Sequence, residues 1–333
     1  MIRKINVDTV LRYLGQGISQ PALILGDDFE QYILKTQKVV ENGENKTYNC
    51  MFLNELISYQ IAKHLNVPIP EAAIAYMDEK ILESDPEIRF VNRFYAGNLF
   101  ASLELPNIEE NFVHNYELMM QMGKPHLLRT WNHFFSNIVN AEDIAKILAF
   151  DLLIANFDRY GNTGNLMVSN TNEGRKIFSI DHGHAFFGPE WHTNKIQNLR
   201  APQATEQYIE SFVNVILDNN NWPGRGRFAN GLGEVFSAIE SNIDLTNINN
   251  HSFFDIVYEI EQINETIIDG WIREIPDEWF VEKEVQIAYY KQFLMNQKNL
   301  IKFLIQRLAE RKAFTNFIGG VLAWKTERTA GTV

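Results

Sequence analysis

Residues 151–187, DLLIANFDRYGNTGNLMVSNTNEGRKIFSIDHGHAFF, decide the architecture. Two short apolar runs, 165–169 (NLMVS) and 176–180 (KIFSI), flank the polar 170–175 (NTNEGR). Asn, Thr and Gly between two such runs are turn chemistry, so the spacing predicts a β-hairpin with a short polar loop. The polar segment 156–164 (NFDRYGNTG) precedes the first strand, and Asp181, His182, Gly183 and His184 follow the second. A hairpin brings its two outer ends together. One loop then carries Asp158 and Asn165, and the other, beside it, carries Asp181.

Two carboxylates and an amide at one mouth are hard oxygen donors and a base, the groups that Mg-dependent phosphoryl transfer uses. Either Asp alone reads first as a turn former or helix cap. The order is more specific: an Asp, an Asn some residues on, a hairpin, then Asp-x-Gly repeats the layout of a protein-kinase catalytic loop and Mg loop. The match is one of order, since 156–158 (NFD) stands for His-Arg-Asp and His182 for the Phe of Asp-Phe-Gly.

The segments NFDRYGNTGNLMV and FSIDHGHAF resemble the HipA-like kinases, in particular their short stand-alone members. The resemblance implies a two-lobed, protein-kinase-like α+β fold. It also implies ATP- and Mg-dependent phosphorylation of Ser or Thr on a protein substrate. Carried over by position, Asp158 is implied as catalytic base and Asn165 and Asp181 as metal ligands. Asn165 lies seven positions after Asp158, against a commonest kinase spacing of about five. Asn162 is the reserve ligand, but Asn165 precedes Leu-Met as the family's Asn precedes its apolar pair.

Upstream, 14–21 (LGQGISQP) is a small-residue turn before two strands that meet about Gly26. A turn of that kind can lie over nucleotide phosphates with its N–H groups donating, or be a plain β-turn. The resemblance assigns Gly15, Gly17 and Ser19 to the nucleotide, with Ser19 also a regulatory phosphosite by analogy. Lys35 ends the apolar strand 32–34, where a solvated strand end is the ordinary reading; in a kinase lobe that lysine reaches the phosphates and pairs with a helical Glu. The periodicity of Leu53, Leu56, Ile57, Ile61 and Leu65 predicts a one-sided helix that stops before Pro68 and Pro70. Glu55, beside that stripe in the family's Asn-Glu pattern, is implied as the partner of Lys35.

Residues 71–77 read as a buried strand, and 89–97 as a further strand or the crossing between lobes. The expected lobes are 1–100 and 101–333. Asn140 looks like the cap of the apolar helix that delivers Asp158. Inside that helix Asp151 needs a partner, which the following loop offers in Arg159 or in its own backbone. His182, His184 and His192 could suggest zinc, but no close His/Cys cluster supports it, and they read as packing histidines. Beyond 200 the chain reads as helical, with 275–279 (IPDEW) opening a helix and 284–311 forming one long amphipathic helix.

Composition bounds the rest. At 333 residues, 45% hydrophobic and 22% charged, the chain is long enough for one large or two modest globular domains. A formal charge of −12 argues against nucleic acid as the main partner. No run approaches about eighteen apolar residues, and 1–8 (MIRKINVD) has no signal-peptide pattern, so neither a membrane nor export is expected. The single Cys50 fits the reducing cytoplasm. Two rivals remain: a small-molecule kinase of the aminoglycoside or choline type, whose usual His-Gly-Asp is absent, and a nucleotide-binding pseudokinase or partner-binding protein, favoured by the long Asp158–Asn165 spacing.

Overall fold

The computed structural model describes residues 1–14, 20–109, 122, 127–159, 164–220 and 234–330. Its N-terminal region is built on strands: β1 (Arg3–Tyr13), β2 (Ala22–Gly26), β3 (Gln31–Leu34), β4 (Lys38–Glu41), β5 (Glu44–Thr47), β6 (Ala72–Met77) and β7 (Gly97–Leu103). Five of these close a barrel in the order β1-β2-β3-β7-β6. All neighbours are antiparallel except β1 and β6. Closure removes the exposed strand edges that would otherwise need cover. The β4–β5 ribbon stands apart from the barrel. It turns at Asn42 and Gly43, whose φ angles of 52° and 82° match the mirror-image turn that suits strand twist.

Helix α1 (Met51–His64) lies against β7. It is not the one-sided helix that the spacing predicts: every residue from Met51 to Tyr59 is buried, including Asn54, Glu55 and Ser58. A helix enclosed on all sides must pair its polar groups with partners, and those of α1 lead into the active site.

Residues 89–97 correct another expectation. They form no strand of their own, since only Gly97 belongs to one, opening β7; α2 (Glu79–Ser84) and α3 (Pro86–Phe90) precede it. The cause is local, because Asp85 accepts from the N–H of Glu87 at 3.0 Å and Pro86 occupies the first helical turn, a standard start signal.

The region after β7 is mostly helical, apart from the hairpin β8 (Leu166–Thr171) and β9 (Gly174–Ser179). That hairpin has a tighter turn than the six polar residues suggest, because Thr171 pairs with Gly174 at φ +122°. The helices are α4 (Leu127–Phe134), α5 (Asp143–Leu153), α6 (Thr193–Arg200), α7 (Glu206–Asn220), α8 (Glu234–Ile239), α9 (Phe254–Glu261), α10 (Glu265–Ile272), α11 (Lys283–Gln297), α12 (Ile301–Glu310) and α13 (Lys325–Ala330). The long helix expected over 284–311 is therefore two, α11 and α12. The break follows Gln297, whose buried amide donates to the carbonyl of Leu152 at 2.9 Å, while Lys298 donates to the carbonyls of Glu261 and Ile263. Residues 275–279 form a single 3-10 turn, Asp277–Trp279, ahead of α11. Among the described residues no helix is long and apolar enough to cross a membrane.

Candidate active site

Lys35 extends β3, its N–H donating to the carbonyl of Phe100 at 3.0 Å. Its ammonium donates to Glu55 Oε1 of α1 at 2.5 Å and to Asp181 Oδ1 at 3.0 Å. One cation thus joins the barrel, α1 and the loop after β9. Burial pushes the Lys35 pKa down, but Asp181 and Glu55 outweigh it and hold the ammonium charged, above the usual lysine range. Burial raises Glu55 in spite of Lys35. Asp181 keeps 43% of its side chain open to solvent. Its surroundings still work against ionisation, but Lys35 prevails and holds the carboxyl at about 2. Asp181 also sits at φ +59°, a left-handed conformation that a non-glycine residue adopts at a cost and that clusters at functional sites.

The loop that leaves α5 is braced from within. Arg159 is fully buried. Its guanidinium grips Asp151 of α5 with Nε to Oδ2 at 3.0 Å and the second terminal nitrogen to Oδ1 at 3.3 Å. The remaining nitrogen donates to the carbonyls of Asn165 and Ile180, the latter at 2.6 Å. These two residues continue the hairpin register, since Ile180 N–H donates to the Asn165 carbonyl at 3.2 Å. One side chain therefore spans both loops at the base of β8–β9. Asn165 donates its amide to the Asp158 carboxylate at 3.2 Å and to the Asp158 carbonyl at 3.3 Å, which ties the two despite their seven-residue spacing.

Asn140 does not cap α5. Its buried amide mimics a strand neighbour, accepting from the Ile177 N–H at 2.9 Å and donating to the Ile177 carbonyl at 3.1 Å, so it pins β9 to the helix start. His182 is buried beside Phe150, with Nε2 2.9 Å from Ser179 Oγ. Burial lowers its pKa well below the ordinary value, so it is neutral. His192 caps α6 through Nδ1, which accepts the Lys195 N–H at 3.0 Å. His184 stands edge-on to Tyr48. Gly183 is required by contact, because a Cβ there would lie 2.6 Å from Met51 Cγ.

Asp158 also lines a cleft of about 1120 Å³. Phe157, His184 and Phe187 share that lining with Gln207, Ser211, Val215 and Asp218 of α7. Asp158 thus both meets Asn165 and borders an open, partly aromatic groove.

The sequence model of the HipA-like kinases matches residues 7–213, more than half of the chain. The chain belongs to the HipA-like kinase family. This HipA-like kinase is similar to the proinflammatory kinase CtkA of Helicobacter pylori at 15% identity and a TM-score of 0.49, over 96% of this chain and 100% of that one. It is similar to hydra Fam20 at 11% identity and a TM-score of 0.42, over 97% and 89% of the two chains. With HipA of Shewanella oneidensis MR-1, solved with HipB and operator DNA, the values are 11% and 0.34, over 91% and 68%. No curated protein sequence matches the chain.

In this HipA-like kinase the structure brings together Lys35, Glu55 and Asp181 around one ammonium, and Asp158 with Asn165 across the loop. Gly15, Gly17, Ser19 and the reserve ligand Asn162 lie outside the described residues. Sequence reasoning missed Asn54 and Lys195, both buried behind Asp181. Asn54 falls within the Asn-Glu pair that drew attention to Glu55. Nothing in the polar 193–200 (TNKIQNLR) marks Lys195 as interior.

Proposed function

We propose that this kinase transfers the γ-phosphoryl of ATP, with Mg²⁺, to a Ser or Thr hydroxyl of a protein. The observation that carries the reading is the Lys35 ammonium held at once by Glu55 at 2.5 Å and Asp181 at 3.0 Å, the arrangement in which a lysine is oriented toward nucleotide phosphates. Lys35 would bind the phosphates, and Gly15 and Gly17 would offer backbone N–H groups over them, with Ser19 a site of regulatory phosphorylation. Asn165 and Asp181 supply an amide oxygen and an ionised carboxylate from loops clamped by one guanidinium, a donor set that fits Mg²⁺. Bound there, the metal would neutralise charge on the phosphates. The proposed lobes are 1–100 and 101–333.

In the transfer, the acceptor oxygen bonds to the γ-phosphorus as the bond to the β,γ-bridging oxygen breaks. The hydroxyl proton passes to Asp158, whose carboxylate is held by Asn165 and borders the open groove. ADP leaves. That groove is where a polypeptide acceptor would lie. The proposed setting is the cytoplasm, in keeping with a lone buried cysteine, Cys50, whose thiol burial pushes up.

The test is incubation with γ-labelled ATP and Mg²⁺, wild type beside Asp158→Ala, read by mass spectrometry and by nucleotide titration. Label on Ser or Thr is expected in the wild type. Turnover in Asp158→Ala should fall about 10²–10⁴-fold with ATP binding kept. Full turnover in the variant, or a wild type that binds no ATP, would overturn the assignment.

A further inference from the structure

The loop that begins at Asp181 turns its carbonyls inward onto two side chains from distant parts of the fold. Asn54 of α1 donates its amide to the carbonyls of Gly183 at 2.7 Å, Ala185 at 2.9 Å and Gly188 at 3.0 Å. Lys195 of α6 donates its ammonium to the carbonyls of Phe186 at 2.7 Å and Gly188 at 2.6 Å, and to Asn54 Oδ1 at 3.4 Å. Tyr290 of α11 closes the set, its hydroxyl donating to Asn54 Oδ1 at 2.6 Å and its ring lying 5.4 Å from the ammonium. Lys195, Asn54 and Tyr290 are all buried.

The backbone pays a conformational penalty for this arrangement. Phe186, Phe187 and Gly188 have φ of 55°, 65° and 111°, and for the two phenylalanines the left-handed region is unfavourable. Such a turn persists only where its surroundings hold it. Carbonyl dipoles aimed at one point repel each other unless a donor or cation stands at that point. Lys195 supplies the cation, and its hydrogen bonds run to carbonyl and amide oxygens rather than to a carboxylate. Asn54 is next in sequence to Glu55, so the same turn of α1 grips the loop backbone and the Lys35 ammonium.

We propose that Lys195 is a positioning residue which, through Asn54, fixes the 182–188 loop so that Asp181 is presented to the metal of the nucleotide complex. The proposal rests on the reading of Asp181 as a metal ligand. It assigns Lys195 no contact with substrate. A merely space-filling lysine would leave metal binding unchanged when exchanged for an apolar side chain of similar length. A positioning one would not, and partners behind a ligand typically contribute about 10–100-fold to metal affinity.

The experiment is calorimetric titration of ATP into the full chain with and without Mg²⁺, for wild type, Lys195→Met and Tyr290→Phe. Tyr290→Phe removes only the hydroxyl that steadies Asn54 and keeps the ring, so it answers the question even if Lys195→Met does not fold. The expected result for folded Lys195→Met is metal-free ATP affinity within a few-fold of wild type and a loss of about tenfold or more in the gain that Mg²⁺ confers. Tyr290→Phe should show a smaller loss in the same gain. A Mg²⁺ gain equal to wild type in both variants, or in Tyr290→Phe alone if the other does not fold, would overturn the proposal. Absence of any gain in the wild type would overturn the reading of Asp181 itself, and this proposal with it.

Discussion

Arg159 and Lys195 are both fully buried cations that hold backbone carbonyls of loops flanking one hairpin. They are built differently. Arg159 faces a carboxylate, Asp151, through two nitrogens, and its planar fork reaches two carbonyls at once. A guanidinium also stays charged at any working pH. Lys195 bonds to carbonyl and amide oxygens, and burial, opposed by Cys50, lowers its pKa to about 8. The base of β8–β9, which carries Asn165, is therefore held by a charge-balanced brace. The loop after Asp181 is held by a cation whose hydrogen bonds reach no carboxylate, and by the Asn54 amide. The difference teaches that the two proposed metal ligands share one clamp, Arg159, while Asp181 alone also opens into the loop held by Lys195 and Asn54.

The comparison breaks first at Arg159. Arg159→Met leaves Asp151 buried without its cation, a change that typically costs about 3–5 kcal/mol. Urea denaturation should show that loss, and Asp151→Leu combined with Arg159→Met should be more stable than Arg159→Met alone. A single variant as stable as wild type would mean the brace is not what holds the frame.

Gly183 probes the other loop. Gly183→Ala puts a methyl 2.6 Å from Met51 Cγ and 3.4 Å from Glu55 Oε1, and overpacking of this kind costs about 1–3 kcal/mol. If the dipole-held loop is the looser one, part of that cost is relieved by a shift of 182–188. Amide hydrogen exchange in that segment should then rise while exchange in β8 and β9 stays as in the wild type. Faster exchange in the hairpin as well would erase the distinction.

The last effect is one of pH. The folded pKa of Lys195, about 8, lies below the ordinary lysine value of about 10.4, so between the two the unfolded chain binds the extra proton. Stability must then rise with pH across that window, by at most about 1.4 kcal/mol per pH unit. The stability of wild type minus that of Lys195→Met should grow between about pH 8 and 10; a flat difference would show that Lys195 keeps its proton across that range.

Much of this was legible along the chain. The apolar runs around 170–175 encode a hairpin through side-chain alternation, and the order Asp158, Asn165, Asp181 follows from it. Arg159 as the partner of Asp151 was readable because both lie within one helix and the loop that leaves it, and a buried carboxylate demands a nearby cation. The split of α11 from α12 was not legible. The amphipathic pattern runs on through 298–300, and only Lys298 reaching the carbonyls of Glu261 and Ile263 explains the break.

By itself, then, the sequence determined the hairpin and the residue types that face its mouth, because periodicity and turn chemistry act between near neighbours. Tertiary structure decided which polar residues are interior. Asn54 meets Gly183, Ala185 and Gly188 more than a hundred residues away, and Tyr290 comes from farther still. A lysine in the polar stretch 193–200 carries no local mark of burial. It becomes a core residue only when a strained loop, folded elsewhere, turns its carbonyls toward it.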